Sequence, residues 1–392
     1  MKKTTNPKGP DRPAYRQLVT GCTLSAMLFA QNAAALTISD VPLFLPKPME
    51  PNVVLTIDDS SSMTAGYVPE SLNTTKITGS NTTYVRDARS GKSSDRNALY
   101  YNPQTVYPRP VFVNVDGTVT TPGTSFTAAP INGYADGGPG RAASRGTVNL
   151  ATEYQPSWEY DPSKPLSSQD LGKHPGYAAD LIAIVPGSDG KSAVDRTKGG
   201  RAYYYVWNAG NVGCTSTDIN DDDCYSLKIV GSQPGPADVD GDGDVDGDDE
   251  RLNFAVWYSF YRTRNLMTVA AASRAMVDVP STTRLGWQAL RAAPGEEANG
   301  QCPLPLDLND LTQVTCYGWS RPEEAIDNRI REFGGAHKNS FYRWLFRLPA
   351  PSQNASWNYT PLRSAAMRIG RYFGSSWVNS PYAKKPQVEL CK

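Results

Sequence analysis

The 392-residue sequence predicts an α/β protein: an open, incomplete sheet interrupted by a long insertion rich in strands and loops. Three observations carry this expectation. The apolar run at 50–58 reads as a buried strand and stops abruptly in carboxylates and hydroxyls, DDSSS. Residues 64–237 are rich in Gly, Pro, Ser, Thr and Tyr and show no long helical period. Outside that stretch the order is strand, helix, strand, helix, helix, which is how an open α/β sheet begins.

The totals bound the class. Lys plus Arg number 39 and Asp plus Glu number 39, so the formal net charge is zero. A nucleic-acid-binding chain would be basic, so nucleic acid is not an expected partner. Residues 1–35 read as a signal peptide. Lys2, Lys3, Lys8, Arg12 and Arg16 lead an apolar run from Leu18 to Ala30, and Ala33-Ala34-Ala35 offers a small-residue cleavage site. Val19-Thr20-Gly21-Cys22 loosely resembles a lipoprotein box, but the apolar segment continues past the cysteine. The run is short for a bilayer span and no second one reaches spanning length, so no membrane span is expected in the mature chain. Export permits disulfides. Cys214 with Cys224, and Cys302 with Cys316, each flank a loop and are expected to pair locally, leaving Cys391 alone.

Within the insertion, Thr105 to Val115, Arg201 to Asn208 and Tyr225 to Val230 read as strands. The last two flank Cys214 and Cys224 and predict a stapled hairpin. Residues 117–200 read mostly as loop. From Glu250 to about Met276, Leu252, Val256, Phe260, Leu266, Val269 and Ala270 recur at helical spacing. Phe254, Trp257, Tyr258 and Tyr261 share that spacing and are expected to cover the sheet, with Arg262 and Arg264 in structural ion pairs. Thr283 to Leu290 reads as a strand. Asn339 to Leu348 reads as a helix with Phe341, Leu345 and Leu348 on one face. Pro361 opens a further helix to about Phe373.

Ligands of an open α/β sheet bind at the carboxyl ends of its strands. Asp58, Ser60 and Ser62 fall there, at a spacing of two, around the turn that leaves the strand. One carboxylate and two hydroxyls are hard oxygen ligands, suited to Mg²⁺ or Mn²⁺ and not to zinc or copper. An ordinary polar turn is the plainer alternative. Asp58-x-Ser60-x-Ser62 resembles the metal-ion-dependent adhesion site (MIDAS) of von Willebrand factor A domains, which have a Rossmann-type sheet. The resemblance implies that the serines bind the metal and the aspartate supports it. It implies a threonine from a second loop, matched by Thr360, and an aspartate after a fourth strand that neighbours the first. The sequence reaches VELCK where that strand would begin, so the expectation is a truncated domain lacking the third loop, with the first strand at an edge.

A second metal motif begins at Asp238. In DVDGDGDVDGDDE, Asp238, Asp240 and Asp242 take positions 1, 3 and 5 of an EF-hand-type loop, Gly243 takes 6, Asp244 takes 7, Asp246 takes 9 and Asp249 takes 12. Asp at 12 resembles the calcium loop of dockerin modules; Glu250 is one place late. Eight carboxylates within 13 residues repel one another, and a compact loop needs a cation to offset them. No entering helix is expected, since GSQPGPA precedes it. Ca²⁺ there is expected to be structural. The expected divisions are therefore 1–35, 36–63 (first strand and metal motif), 64–237 (insertion), 238–249 (calcium loop) and 250–392 (remainder of the sheet domain).

Three further stretches, Asn97 to Pro110, Glu250 to Met276 and Phe341 to Phe373, resemble the N-terminal region of PilY-type proteins, the type IV pilus biogenesis factors and tip adhesins of Gram-negative bacteria. Asn253 to Arg264 is the most specific of them. The resemblance implies a pilus-associated protein of the periplasm or outer surface, contacting minor pilins, the pilus tip, or host or abiotic surfaces. It also implies a C-terminal propeller, absent from this sequence. No enzyme is expected. His174 and His337 lie in no nucleophile or metal motif, Ser60 lacks a Gly-x-Ser-x-Gly elbow, and the Gly-rich Ala135 to Ala142 lacks a Lys-Ser/Thr pair.

Overall fold

The computed structural model describes residues 51–78, 81–134, 146–156, 199–215, 217–290, 328, 330–346, 348 and 360–374. The leader, the pair Cys302 and Cys316, Cys391, His174 and the Gly-rich 135–142 lie outside them.

In chain order the strands are β1 (Asn52–Ile57), β2 (Thr75–Thr78), β3 (Asn81–Tyr84), β4 (Phe112–Val113), β5 (Val119–Thr120), β6 (Ala129–Pro130), β7 (Thr147–Val148), β8 (Tyr203–Trp207), β9 (Tyr225–Ile229), β10 (Arg284–Ala289) and β11 (Arg331–Glu332). The α-helices are α1 (Gly247–Phe260), α2 (Arg264–Val277), α3 (Gly335–Leu345) and α4 (Leu362–Gly374). β1 runs parallel to β10 from Asn52↔Arg284 to Ile57↔Ala289, and β11 adds antiparallel to β10. The remaining strands form four two-stranded antiparallel ladders. α/β is thus the right class; among the described residues the largest sheet has three strands, in the order β1–β10–β11.

Two cores form. One is built from tyrosines of the insertion: Tyr100, Tyr101, Tyr154, Tyr203, Tyr204 and Tyr205 pack with Phe254, Trp257 and Tyr258 of α1. The other lies on the sheet, where Ile57, Leu285 and Trp287 meet Val256 and Phe260 of α1, Leu266 and Val269 of α2, and Phe341, Trp344 and Leu345 of α3. α1 therefore serves both cores with opposite faces. This corrects one expectation: Phe254, Trp257 and Tyr258 cover the tyrosine core, and Val256 and Phe260 face the sheet. The side chains that matter are all apolar or aromatic, so the sequence period marks burial without saying against what. Phe260 also sets how close the insertion comes. A Cβ on Gly133 would lie 2.1 Å from its ring, and the Gly133 amide donates to the Ser259 carbonyl at 3.1 Å.

Other boundaries move for local reasons. The helical stretch from Glu250 is two helices. It breaks at Tyr261 to Thr263, where Thr263 is extended (φ −128°, ψ 159°) and stands at the position before α2 without a side-chain bond to its amides. The predicted strand at 105–115 shrinks to Phe112–Val113. Pro108 and Pro110 offer no amide to a ladder, and the amides of Tyr107 and Val111 donate instead to Asn253 Oδ1 (2.9 Å) and Ser273 Oγ (3.2 Å). The helix expected from Asn339 starts at Gly335. β1 is only half buried: Ile57 is enclosed, while Val53 is exposed. His337 has a structural place, its Nε2 at 2.8 Å from the Leu285 carbonyl and its ring against Trp287. Among the described residues no helix is long and apolar enough to cross a membrane.

Candidate metal centres

The Asp58 turn is ordered by its own side chains. Asp58 Oδ1 accepts the Ser60 amide at 2.8 Å. Ser60 Oγ and Ser62 Oγ lie 3.0 Å apart. Ser60 is buried, Asp58 half buried and Ser62 exposed, so the cluster opens to solvent on one side. A one-turn 3-10 helix, Ser61–Thr64, follows; the Met63 and Ala65 amides donate to the Ser60 and Ser62 carbonyls. The two hydroxyls are hydrogen-bonded to each other; the same separation matches the edge of an octahedron with metal–oxygen bonds of about 2.1 Å.

Thr360 comes from far along the chain. It is exposed, its carbonyl accepts the Leu362 amide at 2.9 Å, and α4 begins there. A residue that sequence reasoning missed connects the two segments. Gln288 Nε2 donates to Thr56 Oγ1 and to the Ala365 carbonyl, both at 3.1 Å. Thr56 lies two residues before Asp58; Ala365 lies in the first turn of α4, its amide on the Pro361 carbonyl. Gln288 is buried opposite Thr56 in the β1–β10 ladder. The legible signal was a polar residue within an otherwise buried strand, since such groups need partners.

The acidic loop runs from the end of β9 to the start of α1. Asp238 collects the amides of Gly241 (2.6 Å) and Gly243 (3.2 Å), and Gly243 turns at φ +103°, which a side chain would resist. Asp246 caps α1, accepting the Asp248 and Asp249 amides, and Asp249 returns a bond to the Asp246 amide at 2.9 Å, a capping box. Asp249 is buried and also accepts the Val239 and Asp240 amides, so it closes the loop onto itself. The carboxylates gather as two triplets, Asp238–Asp240–Asp242 and Asp244–Asp246–Asp249. Within each triplet one oxygen per residue lies within 4.8 Å of the others, the span across an ion bound at about 2.4 Å.

Charge in the loop follows from this crowding. Backbone amides of Asp246 and Val239 hold the Asp249 carboxyl below the ordinary range. The charge of Asp242, desolvation and the charge of Asp246 push Asp244 up. At Asp240 the Asp242 amide pulls down, but desolvation and the charges of Asp242, Asp249 and Asp238 outweigh it and the net shift is upward. Glu250, one place late for the loop, is a buried anchor instead. It accepts the Tyr204 hydroxyl (2.6 Å) and the Gly231 (2.6 Å) and Gln233 (3.3 Å) amides, fastening α1 to the hairpin. The neighbouring hairpin loop offers a contrast. Cys214 and Cys224 are joined as expected, with Cα atoms 4.6 Å apart, and the loop between them is also acidic. There Arg89 faces Asp223, and Arg96 Nε donates to Asn220. In the 238–249 loop only Asp248 has a basic partner, Arg251, among the described residues.

The arginines of the Asn253 to Arg264 run have structural roles. Arg264 pairs with Glu70 at 2.5 Å. Arg262 donates to the Tyr258 and Ile131 carbonyls and lies 4.3 Å over the Tyr258 ring.

No protein-family model matches the chain, and no solved structure matches it. Curated relatives do, all named type IV pilus biogenesis factor PilY1 and all from Pseudomonas aeruginosa. That of strain UCBPP-PA14 is 30% identical over 364 residues, covering 91% of this chain and 23% of the relative. That of strain PAK is 29% identical over 371 residues, covering 93% and 24%. That of strain PAO1 is 30% identical over 372 residues, with the same coverage of 93% and 24%. The chain therefore spans under a quarter of the length of the curated relatives it matches, while nine-tenths of it is matched. Over nine-tenths of its length the chain is thus PilY1-type in sequence, similar to a part of those type IV pilus biogenesis factors.

Proposed function

We propose that this is an exported, pilus-associated protein of a Gram-negative bacterium that supports type IV pilus biogenesis, and with it twitching motility and adhesion. Its contact with minor pilins, the pilus tip, or host or abiotic surfaces runs through Mg²⁺ or Mn²⁺ held by Asp58, Ser60, Ser62 and Thr360. The name carried by the relatives supports the biogenesis part. The Gln288 bridge carries the adhesion-site part, because it ties the strand before Asp58 to the helix after Thr360. The paired hydroxyls fit a small hard cation. Three neutral hydroxyls and one carboxylate leave such an ion electrophilic, so an acidic group of a partner completes its shell. The parallel β1–β10 pair supports a von Willebrand factor A-like sheet, with β1 carrying one strand neighbour among the described residues. The role is binding rather than catalysis. The test is binding of purified minor pilin with and without Mg²⁺: wild type gains affinity with the metal and Asp58→Ala does not. Equal metal-dependent binding by the variant rejects the site.

A second reading rests on the other loop. Asp238, Asp240, Asp242 and Asp244 have no basic partner among the described residues, which favours a calcium-stabilised extracellular module in which the Asp58 motif is only a turn. It expects a large Ca²⁺-dependent rise in melting temperature, reduced in Asp240→Ala, and no metal effect through Asp58.

A further inference from the structure

We propose that Asn97 and Arg264 are the positioning residues of the Asp58–Ser62 turn; the metal half of this inference rests on the adhesion-site reading above. The turn passes into Ala65, whose amide is held by the Ser62 carbonyl at 3.3 Å. From Ala65 to Val68 four successive backbone groups are then fixed by these two side chains or by the backbone of Arg264. The Ala65 carbonyl accepts the Arg264 amide at 3.1 Å. The Gly66 carbonyl accepts Asn97 Nδ2 at 3.2 Å. The Tyr67 carbonyl accepts Arg264 Nε (3.1 Å) and Nη2 (2.8 Å). The Val68 amide donates to Asn97 Oδ1 at 3.0 Å.

Both residues direct most of their side-chain hydrogen bonds to backbone. Asn97 is fully buried, and its amide also bonds the Gly91 carbonyl and the Leu99 amide, so both donors and the acceptor are used on backbone. Arg264 grips one carbonyl with two nitrogens, a fork that lysine lacks. Its ion pair with Glu70 is largely solvent-exposed on the carboxylate side and adds little by itself. Arg264 also opens α2, so the start of the insertion at Ala65 is tied to the start of that helix. Two of the three stretches that carried the sequence resemblance, the one beginning at Asn97 and the one containing Arg264, thus converge on Ala65 to Val68, just past the metal motif. With the turn held at its Asp58 end by β1 and at its Ala65 end by this clasp, the two serine hydroxyls keep their spacing before any ion arrives.

The test uses the full chain with Arg264→Lys and Asn97→Asp. Hydrogen exchange is read over residues 58–68 without metal, and Mn²⁺ alone is titrated, with Asp58→Ala marking the site's share of binding. Exchange over 58–68 is expected to accelerate while β8 and β9 stay protected, and site-specific Mn²⁺ affinity is expected to fall roughly 10- to 100-fold, as when groups that orient metal ligands are lost. Wild-type exchange and wild-type affinity in both variants overturn the proposal, as does acceleration that spreads equally to β8 and β9. If wild type binds Mn²⁺ no better than Asp58→Ala while the variants still loosen 58–68, the positioning role stands and the metal-site reading falls.

Discussion

Single residues in the acidic loop act with opposite signs on stability. Asp249 has a depressed carboxyl pKa, held by backbone amides, so its contribution is fully present above the unfolded carboxylate pKa and is lost as pH falls through the folded value. Asp240 and Asp244 have raised values, so their crowding increasingly opposes folding as pH rises through the carboxylate range. A bound cation offsets the second effect and competes with protons for the same oxygens. The expected outcome is a Ca²⁺-dependent increment in melting temperature that is largest near neutrality and shrinks toward pH 4; a pH-independent increment in differential scanning calorimetry contradicts it. Glu250 makes a different prediction. Glu250→Ala leaves a buried tyrosine hydroxyl and two amides without their acceptor. The loss expected in urea unfolding is about 2 kcal/mol or more, and a change near zero shows that water reaches those groups. Sequence reading placed Glu250 outside the loop by its register, but its partner Tyr204 is 46 residues away and invisible to spacing.

Among the elements, the β8–β9 hairpin was the most legible. Two aromatic and β-branched runs flanked a cysteine couple, and the ladder from Tyr203↔Ile229 to Trp207↔Tyr225 with its disulfide follows that reading. The cysteines are 10 residues apart. Replacing both with serine is expected to cost about 2.5 kcal/mol from the freed loop entropy, seen as a lower denaturant midpoint that dithiothreitol reproduces in wild type and leaves unchanged in the variant. The helix α4 was legible from Pro361 onward, as was β10 from its apolar run. The strand at 105–115 was not, because its prolines and its two side-chain-held amides suit a segment pinned to helices and not a ladder. The break between α1 and α2 was equally hidden: nothing in YRTR forbids helix, and Arg262 leaves it to reach the Ile131 carbonyl in the insertion.

For the whole molecule, α1 is the shared wall of two cores, so neither core is complete without it. Trp257→Ala in the tyrosine core and Trp287→Ala in the sheet core are each expected to cost about 3–5 kcal/mol and to lower one common unfolding transition. Two separable transitions, one moved by each variant, mean that the insertion unfolds by itself. The sequence by itself determined the chemistry available: hard oxygen ligands after an apolar strand, a run of alternating aspartates with glycine at the turning position, and the longer strands and helical stretches in the right order. These are local properties, written in spacings of two to four residues. The tertiary structure alone decided which face of α1 meets which core, that Gln288 joins β1 to α4, and that Ala65, where the insertion begins, meets Arg264 at the start of α2. The last two depend on residues 77 to 232 positions apart meeting, and the first on contacts such as Tyr204 with Glu250, 46 positions apart. Such meetings are set by loop closure and by the packing of whole elements, which no short-range period in the chain records.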